Sequence, residues 1–159
     1  MSALQGKFVI IMTGMSTLLQ IELPRRRRGT AGGARGGLLK PLARRVGRAI
    51  QDFRMIEDGD RILCAMSGGK DSYAMLHVLD HLRARAPVKF ELLAVTVDQG
   101  YRGFQTDVLE RYFREKGFAY HVERTNIAEV IDDKMPLGDT HCSMCARLRR
   151  GVLYRLAPD

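Results

Sequence analysis

The sequence predicts an α/β domain: a parallel sheet with helices on both of its faces. Three observations carry that expectation. Short apolar runs alternate with amphipathic stretches in the order strand, helix, strand, helix, strand. A glycine-rich hexapeptide stands where the first of these strands meets a helix. The chain has 159 residues, 45% of them apolar, which suffices for one core and not for two.

Residues 1–37 read as an extension outside that core, a disordered basic arm. Arg25, Arg26, Arg27 and Arg28 precede Gly29, Gly32, Gly33, Gly36 and Gly37, a composition too flexible and self-repelling to pack. Met15 is an equally good start to the chain. Residues 38–157 form the domain proper. Leu39, Leu42, Val46, Ile50 and Phe53 recur at three- or four-residue spacing between arginines, the pattern of an amphipathic helix. Asp58-Gly59-Asp60 is a turn, and residues 61–66 form a short apolar strand. A helix over 73–85 puts Met75, Leu76, Leu79 and Leu82 on one face, and Pro87 punctuates it. A second strand covers 90–97 and runs into Asp98-Gln99-Gly100. A helix around 108–116, with Gly117 as its stop, leads to a third strand over 119–123. Right-handed crossovers then bring the C-terminal ends of the strands, and the loops after them, to one edge where ligands bind.

The charge is uneven. Residues 24–48 hold nine basic and no acidic side chains, so a chain of net +8 carries +9 there and −1 elsewhere. A basic segment on a balanced domain suits a polyanion such as RNA, because phosphate neutralisation releases counterions; a solvated tail is the bland alternative. The longest apolar run near the start, residues 8–12, is far short of the roughly 20 residues that span a bilayer. One lysine, Lys7, precedes that run, and no small-residue cleavage site follows it, so neither a membrane span nor a signal peptide is read there. Three cysteines make no secreted disulfide framework. These features point to a cytoplasmic location.

Ser67-Gly68-Gly69-Lys70-Asp71-Ser72 sits between strand and helix, the setting of a phosphate cradle. Glycines let the backbone turn and bring N–H groups to phosphate oxygens; the helix end adds partial positive charge and Lys70 a full one. Two better-known loops are excluded. The NTPase P-loop needs Ser or Thr after its lysine and a glycine where Cys64 stands, and the Rossmann fingerprint needs a third glycine. The hexapeptide instead resembles the pyrophosphatase loop (PP-loop) of the N-type ATP pyrophosphatases. The resemblance implies an adenine nucleotide alpha-hydrolase-like fold that cleaves ATP between its α and β phosphates. It also implies that Lys70 and the serines contact phosphate, that Asp71 lies near Mg²⁺, and that the adenine rests against the strand end at Asp98.

Cys142-Ser-Met-Cys145 is a C-x-x-C, which alone fits half a zinc site, a redox pair or part of an iron–sulfur site. Cys64, in a strand, reads as a small core residue, and His77, His81 and His121 read as surface or structurally satisfied. Arg147, Arg149 and Arg150 follow on a helix, where a solvated charged face is the bland reading. The whole string from Cys142 to Tyr154 closely resembles one PP-loop branch, the tRNA 2-thiocytidine synthetases. Residues 46–53, 55–60 and 94–99 look like the same branch, and the similarity covers about residues 40–157. It implies a sulfurtransferase that adenylates the C2 oxygen of cytidine 32 of tRNA and lets sulfur displace AMP, giving 2-thiocytidine. It further implies a [4Fe–4S] cluster with Cys142 and Cys145 as two of three cysteine ligands, a cysteine desulfurase as sulfur donor, and a homodimer as one assembly state. The family's third ligand belongs to a second C-x-x-C beyond residue 159, so the chain reads as an N-terminal part with some of its sheet uncovered. The alternatives are another PP-loop tRNA modifier, such as a 2-thiouridine synthetase, and a non-catalytic fragment that binds nucleotide or RNA.

Overall fold

A computed structural model of the chain describes residues 8–11, 36–134 and 141–156. The elements run β1 (Phe8–Ile11), α1 (Gly36–Asp52), β2 (Arg61–Ala65), α2 (Lys70–Arg83), β3 (Glu91–Asp98), α3 (Thr106–Lys116), β4 (Tyr120–Arg124), α4 (Ile127–Lys134) and α5 (His141–Arg155). Among the described residues the strands form one parallel sheet in the order β1-β2-β3-β4. Cys64 of β2 is in register with Ile11 on one side and Ala94 on the other, and Ala94 with Tyr120.

Strand alternation divides the apolar residues between two cores. Ile62, Cys64, Leu92 and Ala94 face one way and pack with Leu76 and Leu79 of α2 and Leu109 and Phe113 of α3. Leu63, Leu93, Val95 and Val97 face the other way and pack with Ile127 and Ile131 of α4 and Val152 and Leu153 of α5. Because β3 is covered on both faces, six consecutive residues of it are buried, which is why it reads as an unbroken apolar run. The two-faced parallel sheet expected from the sequence is the sheet observed.

Two differences have physical reasons. Within the stretch read as an extension, Phe8–Ile11 pair with β2: four β-prone apolar residues satisfy an edge that would otherwise present unpaired backbone. Residues 12–35, which hold most of the basic arm, lie outside the described residues. The first helix forms as expected, but it packs chiefly on α2. A helix-on-helix seam is narrow, so Ala43 is buried and Val46 and Ile50 are partly buried, while Leu42 (42%) and Phe53 (77%) stay exposed. No described helix is long and apolar enough to cross a membrane.

Candidate functional site

The loop between β2 and α2 is shaped by two glycines with different duties. Gly68 has φ +79°, a left-handed conformation that side chains resist. Gly69 is extended (φ −81°, ψ 156°) and caps α2 with no side-chain hydrogen bond to the helix end. The serines stiffen the turn instead. Ser72, 1% exposed, donates its hydroxyl to the Gly69 carbonyl at 2.8 Å, and the Ser67 Oγ accepts the Gly69 N–H at 3.4 Å. The first-turn N–H groups of Lys70 and Asp71 are left for an external acceptor, at the positive end of the helix dipole. Lys70 Nζ lies 3.6 Å from the Asp71 carboxylate, and both side chains are largely exposed. All six loop residues singled out by the sequence therefore converge on one turn.

The end of β3 stands beside that loop in the sheet. Asp98 is engaged within the protein: one carboxylate oxygen accepts the Gly100 N–H at 3.0 Å and the other accepts the Thr106 hydroxyl at 2.8 Å. Gly100 (φ +82°) makes a close turn in which an added Cβ would come 3.1 Å from the Thr125 carbonyl. The backbone here is pinned from β4 and α4, since Thr125 donates to the Asp98 carbonyl and Ala128 to that of Gln99.

α5 closes the site from the second face. Its Cys145 thiol donates to Gln99 Oε1 at 2.6 Å. Cys142 lies in the first turn of the same helix, and its side chain is outside the described residues. Between α5 and the ends of β2 and β3 lies a cleft of about 250 Å³ lined by Ser67, Val97, Gln99, Phe104, Arg149 and Leu153, among others. That is slightly below the roughly 300–1,000 Å³ that encloses a drug-sized ligand. The Arg149 Nε is buried there without a hydrogen-bond partner. Composition did not single out Arg149 or Thr106.

Cys64 faces the first core beside Met66, across the sheet from α5, and burial pushes its thiol up to about 12, so it serves as no ligand. Among the described residues no three His, Cys, Asp or Glu side chains converge to hold a metal ion. The one described thiol on the α5 side is that of Cys145. Two histidines are engaged within the protein: His77 Nε2 hydrogen-bonds the Tyr112 hydroxyl, and His121 Nε2 pairs with Glu123 at 2.9 Å.

No protein-family model matches the chain. Individual proteins do. It is 58% identical over 118 residues to the tRNA-cytidine(32) 2-sulfurtransferase of Geobacter sulfurreducens, covering 74% of this chain and 46% of that protein. The same-named protein of Geobacter metallireducens is 56% identical over 112 residues, covering 70% of this chain and 44% of the relative. That of Shewanella pealeana is 52% identical over 120 residues, covering 76% and 39%. The chain spans about half the length of the curated relatives it matches. Over that matched stretch the chain is homologous to the tRNA-cytidine(32) 2-sulfurtransferases.

Proposed function

We propose that this protein works in ATP-dependent thiolation of cytidine 32 of tRNA. ATP lies on the loop 67–72, its pyrophosphate end held by the first-turn N–H groups of α2, by Lys70 and by the serines. Mg²⁺ arrives with the nucleotide as part of the substrate, and Asp71 is the loop carboxylate that faces it. The C2 oxygen of the cytidine attacks the α-phosphorus and pyrophosphate leaves; sulfide, released from a cysteine desulfurase persulfide by a thiol reductant, then attacks C2 and displaces AMP, which carries away the former C2 oxygen, to give the 2-thio base. Exposed Lys40, Arg44, Arg45 and Arg48 on α1 suit the phosphates of the RNA.

One observation carries this reading: the Cys145 thiol contacts Gln99, which lines the same cleft as Ser67 of the loop. Adenylation of the C2 oxygen and sulfur attack on the adjacent C2 carbon require the two groups to share a site, and the contact with Gln99 supports that arrangement. The test is the fate of ATP when the chain is incubated with tRNA. Pyrophosphate and AMP are the expected products, and Lys70→Ala should weaken ATP binding; orthophosphate as the primary product refutes the adenylation step. A second reading is nucleotide and RNA binding without turnover. It is the one that stands if ATP binds and no AMP forms.

A further inference from the structure

Arg149 breaks the rule that builds the rest of α5. Cys145, Leu148, Val152, Leu153 and Leu156 recur at helical spacing and pack on the second face of the sheet. Arg149 falls inside that stripe, four residues after Cys145 and four before Leu153. The residue is half-buried there, and a guanidinium nitrogen that loses water is tolerated where an acceptor replaces it. Its Nε is buried, and among the described residues no group accepts from it. Among the described side chains lining the cleft, Arg149 carries the one formal charge; its neighbours there include Ser67, Val97, Gln99 and Phe104. A small recess with a single fixed cation and no carboxylate is complementary to an anion, and guanidinium is the side chain best shaped for phosphate oxygens.

The sheet says which anion. The loop leaves β2 at Ser67 and enters α2 on the first face, so the helix end and Lys70 take the terminal phosphates on that side. Arg149 comes from α5 on the second face and meets the cleft where Ser67 begins the loop. A triphosphate running from the α2 N-terminus back toward Ser67 brings its α-phosphate to the Arg149 side. We propose that Arg149 binds the α-phosphate of the nucleotide, the phosphoryl group that stays on the nucleoside and departs as AMP. The assignment rests on the ATP reading above and refines it. When the C2 oxygen bonds to the α-phosphorus, the bond to the bridging oxygen breaks and its electron pair leaves with pyrophosphate. Arg149 stabilises the charge on the remaining α-phosphate oxygens in that step.

Calorimetric titration of the 159-residue chain with ATP, AMP, pyrophosphate and adenosine tests this. Arg149→Gln should weaken ATP and AMP roughly tenfold and leave pyrophosphate and adenosine unchanged. Lys70→Ala should weaken ATP and pyrophosphate and spare AMP. Arg149→Lys, which keeps the charge and loses the fork, should fall between, and it provides the readout if thermal melting shows Arg149→Gln unfolded. Arg147→Gln, at an exposed position of the same helix, should change none of these. If Arg149→Gln stays within about twofold of wild type for ATP and AMP while Lys70→Ala loses ATP, the Arg149 assignment is overturned and the ATP reading stands. Loss of tRNA affinity alone in Arg149→Gln assigns the guanidinium to RNA and also overturns it. A wild-type chain that binds neither ATP nor AMP overturns both.

Discussion

Asp98 separates two roles that a carboxylate at a strand end can play, and a pair of substitutions tells them apart. Its two oxygens accept from the Gly100 N–H and the Thr106 hydroxyl at 3.0 and 2.8 Å. Removing the side chain in Asp98→Ala orphans both donors. Gly100 is exposed and its N–H turns to water, whereas Thr106 is 7% exposed and its hydroxyl is stranded. A hydrogen bond to a charged group contributes about 1.5–3 kcal/mol, so Asp98→Ala should cost about 2 kcal/mol, or roughly 5–10 °C in Tm for a domain of this size. Asp98→Asn keeps the geometry. Its amide oxygen accepts from Gly100, its NH₂ donates to Thr106, and the hydroxyl rotates to accept. The loss should stay under about 1 kcal/mol, the gap between charged and neutral hydrogen bonds. Urea unfolding followed by circular dichroism reads the stability, and titration with ATP and Mg²⁺ reads the site. A loop organiser gives an Asn variant with near-wild-type stability and ATP binding and an Ala variant weakened in both. An Asn variant that folds normally and no longer binds ATP would refute this reasoning and make the carboxylate itself a nucleotide or metal ligand.

The two loop glycines should behave differently. Gly68→Ala meets nothing nearer than Leu109 at 4.0 Å, so its cost of about 1–2 kcal/mol comes from the left-handed backbone alone. Gly69→Ala, in an extended conformation, should cost under about 1 kcal/mol; equal losses by calorimetry would remove the left-handed argument. Burial raises the Cys64 thiol from 9.0 to about 12. The folded chain therefore holds a proton that the unfolded chain releases: stability is full below pH 9 and falls between pH 9 and 12, by up to about 1.4 kcal/mol per pH unit. Cys64→Ala should flatten that alkaline limb, leaving Tyr112, whose phenol burial also pushes up, to supply the remainder; a limb of unchanged slope refutes the assignment.

Much of the fold is legible in the sequence because it is encoded locally. β3 announces itself as a buried apolar run, α2 shows its spacing through Leu76 and Leu79, and α3 ends at a glycine. What is not legible depends on partners distant in sequence. Phe8–Ile11 is four apolar residues with no pattern of their own; only the open edge of β2 makes them a strand. α4 has eight residues, too short for Ile127, Ala128 and Ile131 to establish a period. Leu42 and Phe53 sit on the predicted stripe of α1 and are exposed because α1 packs on a helix. Periodicity names a face, and the width of the surface beneath decides how much of it is buried.

The site divides along the same line. Residues 67–72 are readable because one contiguous turn contains the glycines, the lysine and the serines, so their spacing in sequence is nearly their arrangement in space. Arg149 is not readable in that way: Arg147, Arg149 and Arg150 look alike as a basic run, and a run suggests a solvated face. The distinguishing signal is periodic rather than compositional. Arg147 lies off the stripe set by Leu148, Val152 and Leu153 and is exposed, while Arg149 lies on it and is drawn over the cleft. Desolvation makes these two positions chemically different. An exposed arginine is screened and cheap, so its presence says little. An arginine on the core-facing stripe carries a cost that packing alone does not repay. A cation at an apolar position of a helix therefore points more sharply to a ligand than several cations in a row, and here it points to the cleft lined by Gln99, the partner of Cys145.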